Sequence, residues 1–322
     1  MHQVRQGADS IDAALHRLAE STSSIASDWV AARRAADRLD HEALEESRRS
    51  YLDEQGLTLF RSWPGELQDI PAQQSPQLAY YAYSAIGDHG LDQPALRHLA
   101  VFDRMGPILE AANQQLQGSW TYLTTADNWM LLFPFLAPEM AVNNGVPSQQ
   151  VFYTAADFKT RGVGWTGPYL DLAGAGMMVT AASPAYDGNE LLGVASQDIT
   201  LRQISSGVLS ELAGAQSIAL LVDHAGLAIA ASDPGLESEI ERVNAETGAA
   251  RLYYLDATRL AALNDPTAVA SAEEWFNRVV SAVLQDVRKG HGSAEKSMTI
   301  EGRSISAART RSTGWWLIIA DR

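Results

Sequence analysis

The sequence predicts an α+β fold in which a long N-terminal helix precedes two modules of similar build, each with an antiparallel five-stranded sheet. Three observations lead to this prediction: an apolar heptad pattern near the N-terminus, a series of strand patterns that occurs twice, and tight turns between successive strands. We expect residues 1–55 to form the helix, 56–205 the first module and 206–322 the second.

The helix is predicted from Ser10 to Gln55 as one or two segments, because this stretch contains neither Pro nor Gly. Apolar or small residues recur from Val4 onward in two interleaved seven-residue series. These are Val4, Ile11, Leu18, Ile25, Ala32 and Leu39, and Leu15, Thr22, Trp29, Ala36 and Ala43. Such a helix covers the core of its own domain or pairs with a second copy, and the pattern leaves both alternatives open. The small residues Ala32, Ala36 and Ala43 would allow close pairing, so we expect a homodimer through this helix.

The repeated strand pattern consists of a hairpin, an insertion and three further strands, given once in each half of the chain. The predicted strands of the first half are 119–125, 129–135, 167–172, 177–186 and 191–199. Those of the second half are 217–222, 227–232, 294–300, 304–310 and 315–320. Helices are predicted at 94–117 and, between the modules, at 201–212.

Composition excludes several classes of function. The 322 residues include 24 Lys and Arg and 39 Asp and Glu. The resulting net charge of -15 argues against nucleic-acid binding. Without cysteine there is no disulfide, thiolate metal site or thiol nucleophile, and the seven histidines lack metal-ligand spacing. We therefore expect no metal or other cofactor. No apolar stretch approaches the roughly 20 residues that a membrane-spanning helix needs.

Catalytic motifs are also missing. The G-x-G-x-x-G sequence at 162–167 is followed by Pro168 and a strand pattern, whereas a dinucleotide site requires a helix there. The chain has neither a phosphate-binding loop nor a nucleophile elbow. The sequence therefore shows no catalytic constellation.

Aromatic and carboxylate residues are dense between positions 150 and 200. In a strand, Tyr169 and Asp171 lie on the same face, and Asp198 ends an apolar strand pattern. Aromatic walls with carboxylates suit a cationic amine. The alternative is that the aromatic residues are core and the carboxylates belong to turns.

Three segments in order, 165–171, 177–187 and 192–199, resemble the distal module of double-Cache sensor domains. The first matches the family pattern W-T-x-P-Y-x-D. Residues 120–125 are similar to the first strand of that module, and 313–318 to the closing strand of the proximal module. The resemblance implies two PAS-like modules, membrane-distal and membrane-proximal. It also implies the periplasmic or extracellular domain of an inner-membrane chemoreceptor, histidine kinase or cyclic-di-GMP signalling protein, with transmembrane helices flanking it in the full-length protein.

The resemblance also implies a ligand site in the distal module. Tyr169, Asp171 and Asp198 match positions that hold a ligand ammonium group, whereas Gln150 replaces an arginine that holds a carboxylate in the amino-acid-binding branch. The predicted ligand-binding residues are Gln150, Phe152, Tyr153, Trp165, Tyr169, Asp171 and Asp198.

We therefore expect a small polar, amine-bearing ligand rather than an ordinary α-amino acid. Tyr253, Tyr254 and Trp275 of the second module are expected to be core residues, so that this module transmits a signal rather than binding a ligand. The resemblance, together with the lack of a catalytic constellation, implies a sensor that is not an enzyme. The alternative function is a soluble binding or hydrolytic protein that uses the same carboxylates.

Overall fold

A computed structural model describes residues 2–50, 81–84, 93–116, 118–134, 146–171, 175–204, 209–213, 216–245, 250–285 and 294–321. The ends of several predicted elements, residues 51–55, 117, 135 and 172, lie outside these ranges. Among the described residues, no helix is both long enough and apolar enough to cross a membrane.

The N-terminal helical region consists of two helices. Helix α1 spans His2–Ala36 and α2 spans His41–Ser50. The chain turns between them, where Asp40 Oδ1 accepts a hydrogen bond of 2.9 Å from the backbone N–H of Ala43. A carboxylate in this position satisfies a free amide at the start of a helix, which explains why a new helix begins here.

The heptad pattern of α1 is buried within the protein itself. Val4, Ile11 and Leu15 pack with the second-module sheet, and Ile25 and Trp29 pack with the first module. The stripe therefore covers the chain's own cores, as the first alternative predicted.

The prediction that small alanines admit a second copy is not supported at Ala32 and Ala36, because their side chains are 8% and 0% exposed. A dimer through α1 would have to use its opposite face, which includes the exposed residues Glu20, Ser24 and Ala31.

The distal sheet has seven strands, two more than predicted. They are β1 Tyr81–Ser84, β2 Thr121–Thr125, β3 Trp129–Phe133, β4 Gly164–Trp165, β5 Tyr169–Asp171, β6 Gly176–Asp187 and β7 Glu190–Thr200. Their order is β1-β3-β2-β7-β6-β4, and β5 also pairs with β6. The additional strands β1 and β4 are four and two residues long, too short to give a periodic sequence signal.

Helices lie on both sides of the distal sheet. Helix α3, Gln93–Leu116, covers one face together with α1, close to the predicted bounds. A 3-10 turn, Pro147–Gln149, and the short helix α4, Val151–Thr154, lie on the other face.

The link between the modules differs from the predicted single helix. It contains two short segments, α5 Leu201–Ile204 and α6 Ser210–Leu212. Residues 205–208 between them lie outside the described ranges.

The proximal sheet has the five strands that were predicted. They are β8 Ser217–Val222, β9 Ala228–Ala231, β12 Glu295–Ile300, β13 Arg303–Arg309 and β14 Trp316–Asp321. The insertion contains α7 Pro234–Ala245, β10 Arg251–Tyr253, α8 Ala257–Ala262, β11 Ala268–Ala270 and α9 Glu274–Val283, with β10 and β11 forming a separate parallel pair.

The two sheets share one topology, which confirms the repeat seen in the sequence. The proximal order is β12-β13-β14-β8-β9, and the distal sheet contains the corresponding order β5-β6-β7-β2-β3. In both, the initial hairpin lies beside the last strand of the antiparallel trio. Each module is therefore an α+β unit of the predicted PAS-like build.

The aromatic residues of the proximal insertion contribute to its core. Tyr253 and Tyr254 are 6% and 0% exposed, and Trp275 packs at the edge of the same cluster. This burial agrees with the expectation of core packing.

Candidate functional site

One face of the distal sheet gathers polar side chains from four strands. Thr180 on β6 is opposite Asp198 on β7, and Tyr169 on β5 is opposite Met178, two positions before Thr180 on β6. Residues paired across an antiparallel sheet point the same way, so these side chains share the face that carries α4.

Asp198 is the centre of this cluster. Its side chain is 2% exposed, and its Oδ1 accepts hydrogen bonds from Thr180 Oγ1 at 2.7 Å and Tyr122 Oη at 3.1 Å. Tyr169 Oη lies 2.7 Å from Thr180 Oγ1. Because Thr180 donates to Asp198, the proton between Thr180 and Tyr169 belongs to Tyr169. The hydroxyl groups of Tyr169 and Thr180 thus form a chain of hydrogen bonds that ends on the Asp198 carboxyl group.

Asp171 supplies a second carboxylate to the same face. Its Oδ2 accepts hydrogen bonds from Trp120 Nε1 at 3.0 Å and from the backbone N–H of Ala175 at 2.8 Å. Asp171 lies opposite Gly176 in the register of β5 and β6, two residues along β5 from Tyr169. The alternation predicted from the sequence is therefore present.

Burial controls the charge of this cluster. Burial raises the pKa of Asp198 to about 8, and the negative charge of Asp171 adds to the increase, although the hydrogen bond from Thr180 opposes it. Asp198 is therefore mostly in its neutral, protonated form near pH 7. The pKa values of Tyr122 and Tyr169 lie well above the usual range, through burial and then through Asp198.

Aromatic side chains from α4 cover the cluster. The ring of Phe152 meets that of Tyr122 edge to face, with 5.2 Å between centroids. Tyr153 packs on Ala182 and Val194 of the same sheet face, and burial raises its pKa to about 12. These contacts make one wall of the site aromatic.

The remaining two predicted residues lie apart from Asp198. Gln150 is the first residue before α4, and its Nε2 donates to the carbonyl of Val146 at 3.3 Å. Trp165 is opposite Ala181 and therefore points away from Thr180, toward Trp315 of the proximal module. The structure thus brings together Phe152, Tyr169, Asp171 and Asp198, and Tyr153 packs beside them on the same sheet face.

Sequence reasoning missed three residues of the cluster: Trp120, Tyr122 and Thr180. A signal for the first two existed, because Trp120 and Tyr122 are two positions apart at the start of a strand pattern. Thr180 gave no local signal, since its role depends on strand pairing.

The comparison with protein families decides the kind of protein to which this cluster belongs. Residues 112–206 match the family described as methyl-accepting chemotaxis protein-like, first PDC sensor domain. The distal module is similar to a PDC sensor domain. The matched range contains every residue of the Asp198 cluster. The match confirms the resemblance to Cache sensor domains, and it indicates a ligand-binding module of signal transduction rather than an enzyme.

Several solved structures are similar to this chain. The ligand-binding domain of the Pseudomonas aeruginosa PAO1 amino acid chemoreceptor PctB with L-Arg has 18% identity and a TM-score of 0.42, covering 68% of this chain and 72% of that one. The corresponding domain of Pseudomonas fluorescens CtaA with L-serine has 17% identity and a TM-score of 0.42, covering 69% and 78%. The sensory domain of Campylobacter jejuni Tlp3 with isoleucine has 17% identity and a TM-score of 0.41, covering 69% and 73%. No curated protein matches this sequence.

Proposed function

We propose that this PDC sensor domain binds a small polar, amine-bearing molecule at the Asp198 cluster and passes the signal across a membrane. In this proposal the chain is the periplasmic or extracellular part of an inner-membrane receptor, flanked by transmembrane helices and paired with a second copy. The single observation that carries the ligand class is the buried Asp198 carboxylate with its hydroxyl donors.

An ammonium group is the natural partner of this carboxylate. A buried carboxylate is costly to ionise alone, and a bound cation offsets that cost through a charge-assisted hydrogen bond. Asp171 adds a second negative charge to the same face, and Phe152 and Tyr122 supply aromatic surface for a cation. The site therefore favours a cationic group over an anionic one.

The position of Gln150 supports a ligand other than an ordinary α-amino acid. Its amide has no charged fork for a ligand carboxylate, and it donates to the backbone of its own turn.

A thermal-shift screen of amines, α-amino acids and organic acids tests the proposal. Amines should raise the melting temperature of the wild type but not of Asp198→Asn, which keeps the shape of the neutral acid. Asp28→Asn, on the exposed face of α1, is the matched loss of a carboxylate and should respond like the wild type. Tight binding of simple α-amino acids, or an unchanged amine response in Asp198→Asn, would contradict the proposal.

A further inference from the structure

A cleft lies between the two modules, on the far side of β5 from the Asp198 cluster. Its volume is about 560 Å³, within the range of about 300–1,000 Å³ typical of small-molecule sites. The distal wall is formed by β5, the start of β6 and the end of β7, and the proximal wall by α7. Among its lining residues are Leu170, Met177, Arg202, Ser238, Glu241 and Arg242.

The proximal wall is built by one face of a helix. Ser238, Glu241 and Arg242 have the spacing of three and four residues that places side chains together on a helix. Arg202 reaches the cleft from α5, at the end of the distal module, and its Nη2 lies 3.5 Å from Glu241 Oε1. Groups from both modules therefore converge on one space.

The charge of the cleft is opposite to that of the protein. The described residues that line the cleft include two guanidinium groups and one carboxylate, whereas the whole chain carries a net charge of -15. Guanidinium groups bind carboxylates through paired hydrogen bonds. Leu170 and Met177 add apolar surface on the distal side. This combination suits a molecule with an anionic head and an apolar body.

We propose that the cleft binds a small organic anion, a carboxylate with an apolar body, at a site separate from the Asp198 cluster. Arg202 and Arg242 hold the carboxylate, and Leu170 and Met177 contact the apolar body. Because the two arginines come from different modules, a bound carboxylate bridges them and holds the modules in a fixed relation.

Strand β5 is a wall shared by the two sites. Tyr169 and Asp171 point toward the Asp198 cluster, and the intervening Leu170 points into the cleft. A bound molecule whose apolar body contacts Leu170 therefore acts on the same three-residue strand that positions Tyr169 and Asp171. The cleft is in this way an effector site for the distal module.

Benzoate is a suitable probe, with benzyl alcohol as its neutral counterpart and inorganic phosphate as an anion without an apolar body. Binding is measured by ligand-observed NMR, and the site by the backbone amide shifts of Gly176 and Ser238. We expect benzoate to bind the wild type and to move both amides. The double variant Arg202→Gln/Arg242→Gln should bind about tenfold more weakly or worse, since two charge-assisted contacts are lost.

The control variant is Arg17→Gln, which removes an exposed positive charge from α1, away from the cleft. It should bind benzoate like the wild type, and circular dichroism verifies that both variants fold. Equal benzoate binding by the double variant would overturn the proposal. Benzyl alcohol binding as tightly as benzoate would also overturn the proposal, because it would show that the negative charge is not recognised. Phosphate binding as tightly would do the same for the apolar body. The single variant Arg242→Gln gives the same test if the double variant does not fold.

Discussion

The ring of Trp165 in the distal module lies 6.3 Å from the ring of Trp315 in the proximal module, and the two meet edge to face at 69°. The next residue, Thr166, donates its N–H to the carbonyl of Thr180 at 3.1 Å and accepts from the N–H of Thr180 at 2.8 Å. Thr180 in turn donates to Asp198. A short series of direct contacts thus joins the Asp198 carboxyl group to the proximal module.

Removal of the Trp165 ring should weaken this junction. Trp165→Ala loses an aromatic pair and apolar contacts with the proximal core, and we expect the free energy of unfolding to fall by about 2 kcal/mol. Trp165→Phe keeps an aromatic ring and should lose less than half as much. Urea unfolding measures both variants, and equal stability of Trp165→Ala and wild type would show that the junction contributes little.

Asp198 should make the unliganded protein less stable as pH rises. Its pKa is raised to about 8 in the folded state, above the usual value of 3.8, so the folded state holds the proton more tightly. The stabilisation is complete below about pH 4 and is lost as pH rises toward 8, by up to about 1.4 kcal/mol per pH unit. Asp198→Asn does not titrate and should lack this component. Urea unfolding between pH 5 and 8 compares the two, and parallel pH profiles would contradict the prediction.

Amine binding should release a proton below pH 8. The carboxyl group must ionise to pair with an ammonium group, so the apparent affinity should rise about tenfold per pH unit up to pH 8 and then level off. Calorimetry of an amine found in the screen, in buffers with different ionisation enthalpies, counts the released protons. An affinity that does not change between pH 6 and 8 would mean that the ligand binds the neutral acid.

Asp12 should hold a proximal loop against α1. Its carboxylate accepts from the backbone N–H of Arg311 at 2.7 and 2.8 Å, and from the N–H and Oγ of Ser312 at 2.9 and 2.6 Å. Asp12→Ala should cost about 1–3 kcal/mol and speed hydrogen exchange at both amides. Asp28→Ala, on the exposed face of α1, is the comparison and should leave exchange at Arg311 and Ser312 slow.

Gly193 should tolerate no side chain. Its φ is +151°, and an added Cβ would lie 2.1 Å from the carbonyl oxygen of Thr124 and 2.6 Å from the ring of Trp29. Gly193→Ala should therefore destabilise the protein by several times the roughly 1 kcal/mol expected for Gly188→Ala. Gly188 also has positive φ, at +61°, but an added Cβ there meets open space. Similar melting temperatures for the two variants would disprove the steric argument.

The sequence predicted those features that depend on local periodicity. The α1 stripe, the hairpins and the shared face of Tyr169 and Asp171 follow from spacing along one segment. The break between α1 and α2 falls at Asp40, whose residue type is a common helix cap. The heptad pattern continues through this position and therefore does not indicate the break. The fold class and the repeat could therefore be predicted from the sequence alone.

Features that depend on pairing between distant segments could not be predicted from the sequence. Tyr122 and Asp198 are 76 positions apart, and only the register of β2 with β7 brings them together. The motif predicted Trp165 as a ligand-binding residue. In the pairing of β4 with β6, however, Trp165 is opposite Ala181, so its ring lies on the other face of the sheet. Neither register leaves a periodic signal in the chain.

Helix α1 lies in the cores of both modules, with Val4 to Leu15 in one and Ile25 to Ala36 in the other. Neither module closes its apolar interior without residues from the same 35-residue segment. We therefore expect the two sheets, although each has its own topology, to unfold as one cooperative unit rather than two. A fragment that begins after α1 would expose both interiors at once, so aggregation rather than two separate folded modules is its expected fate.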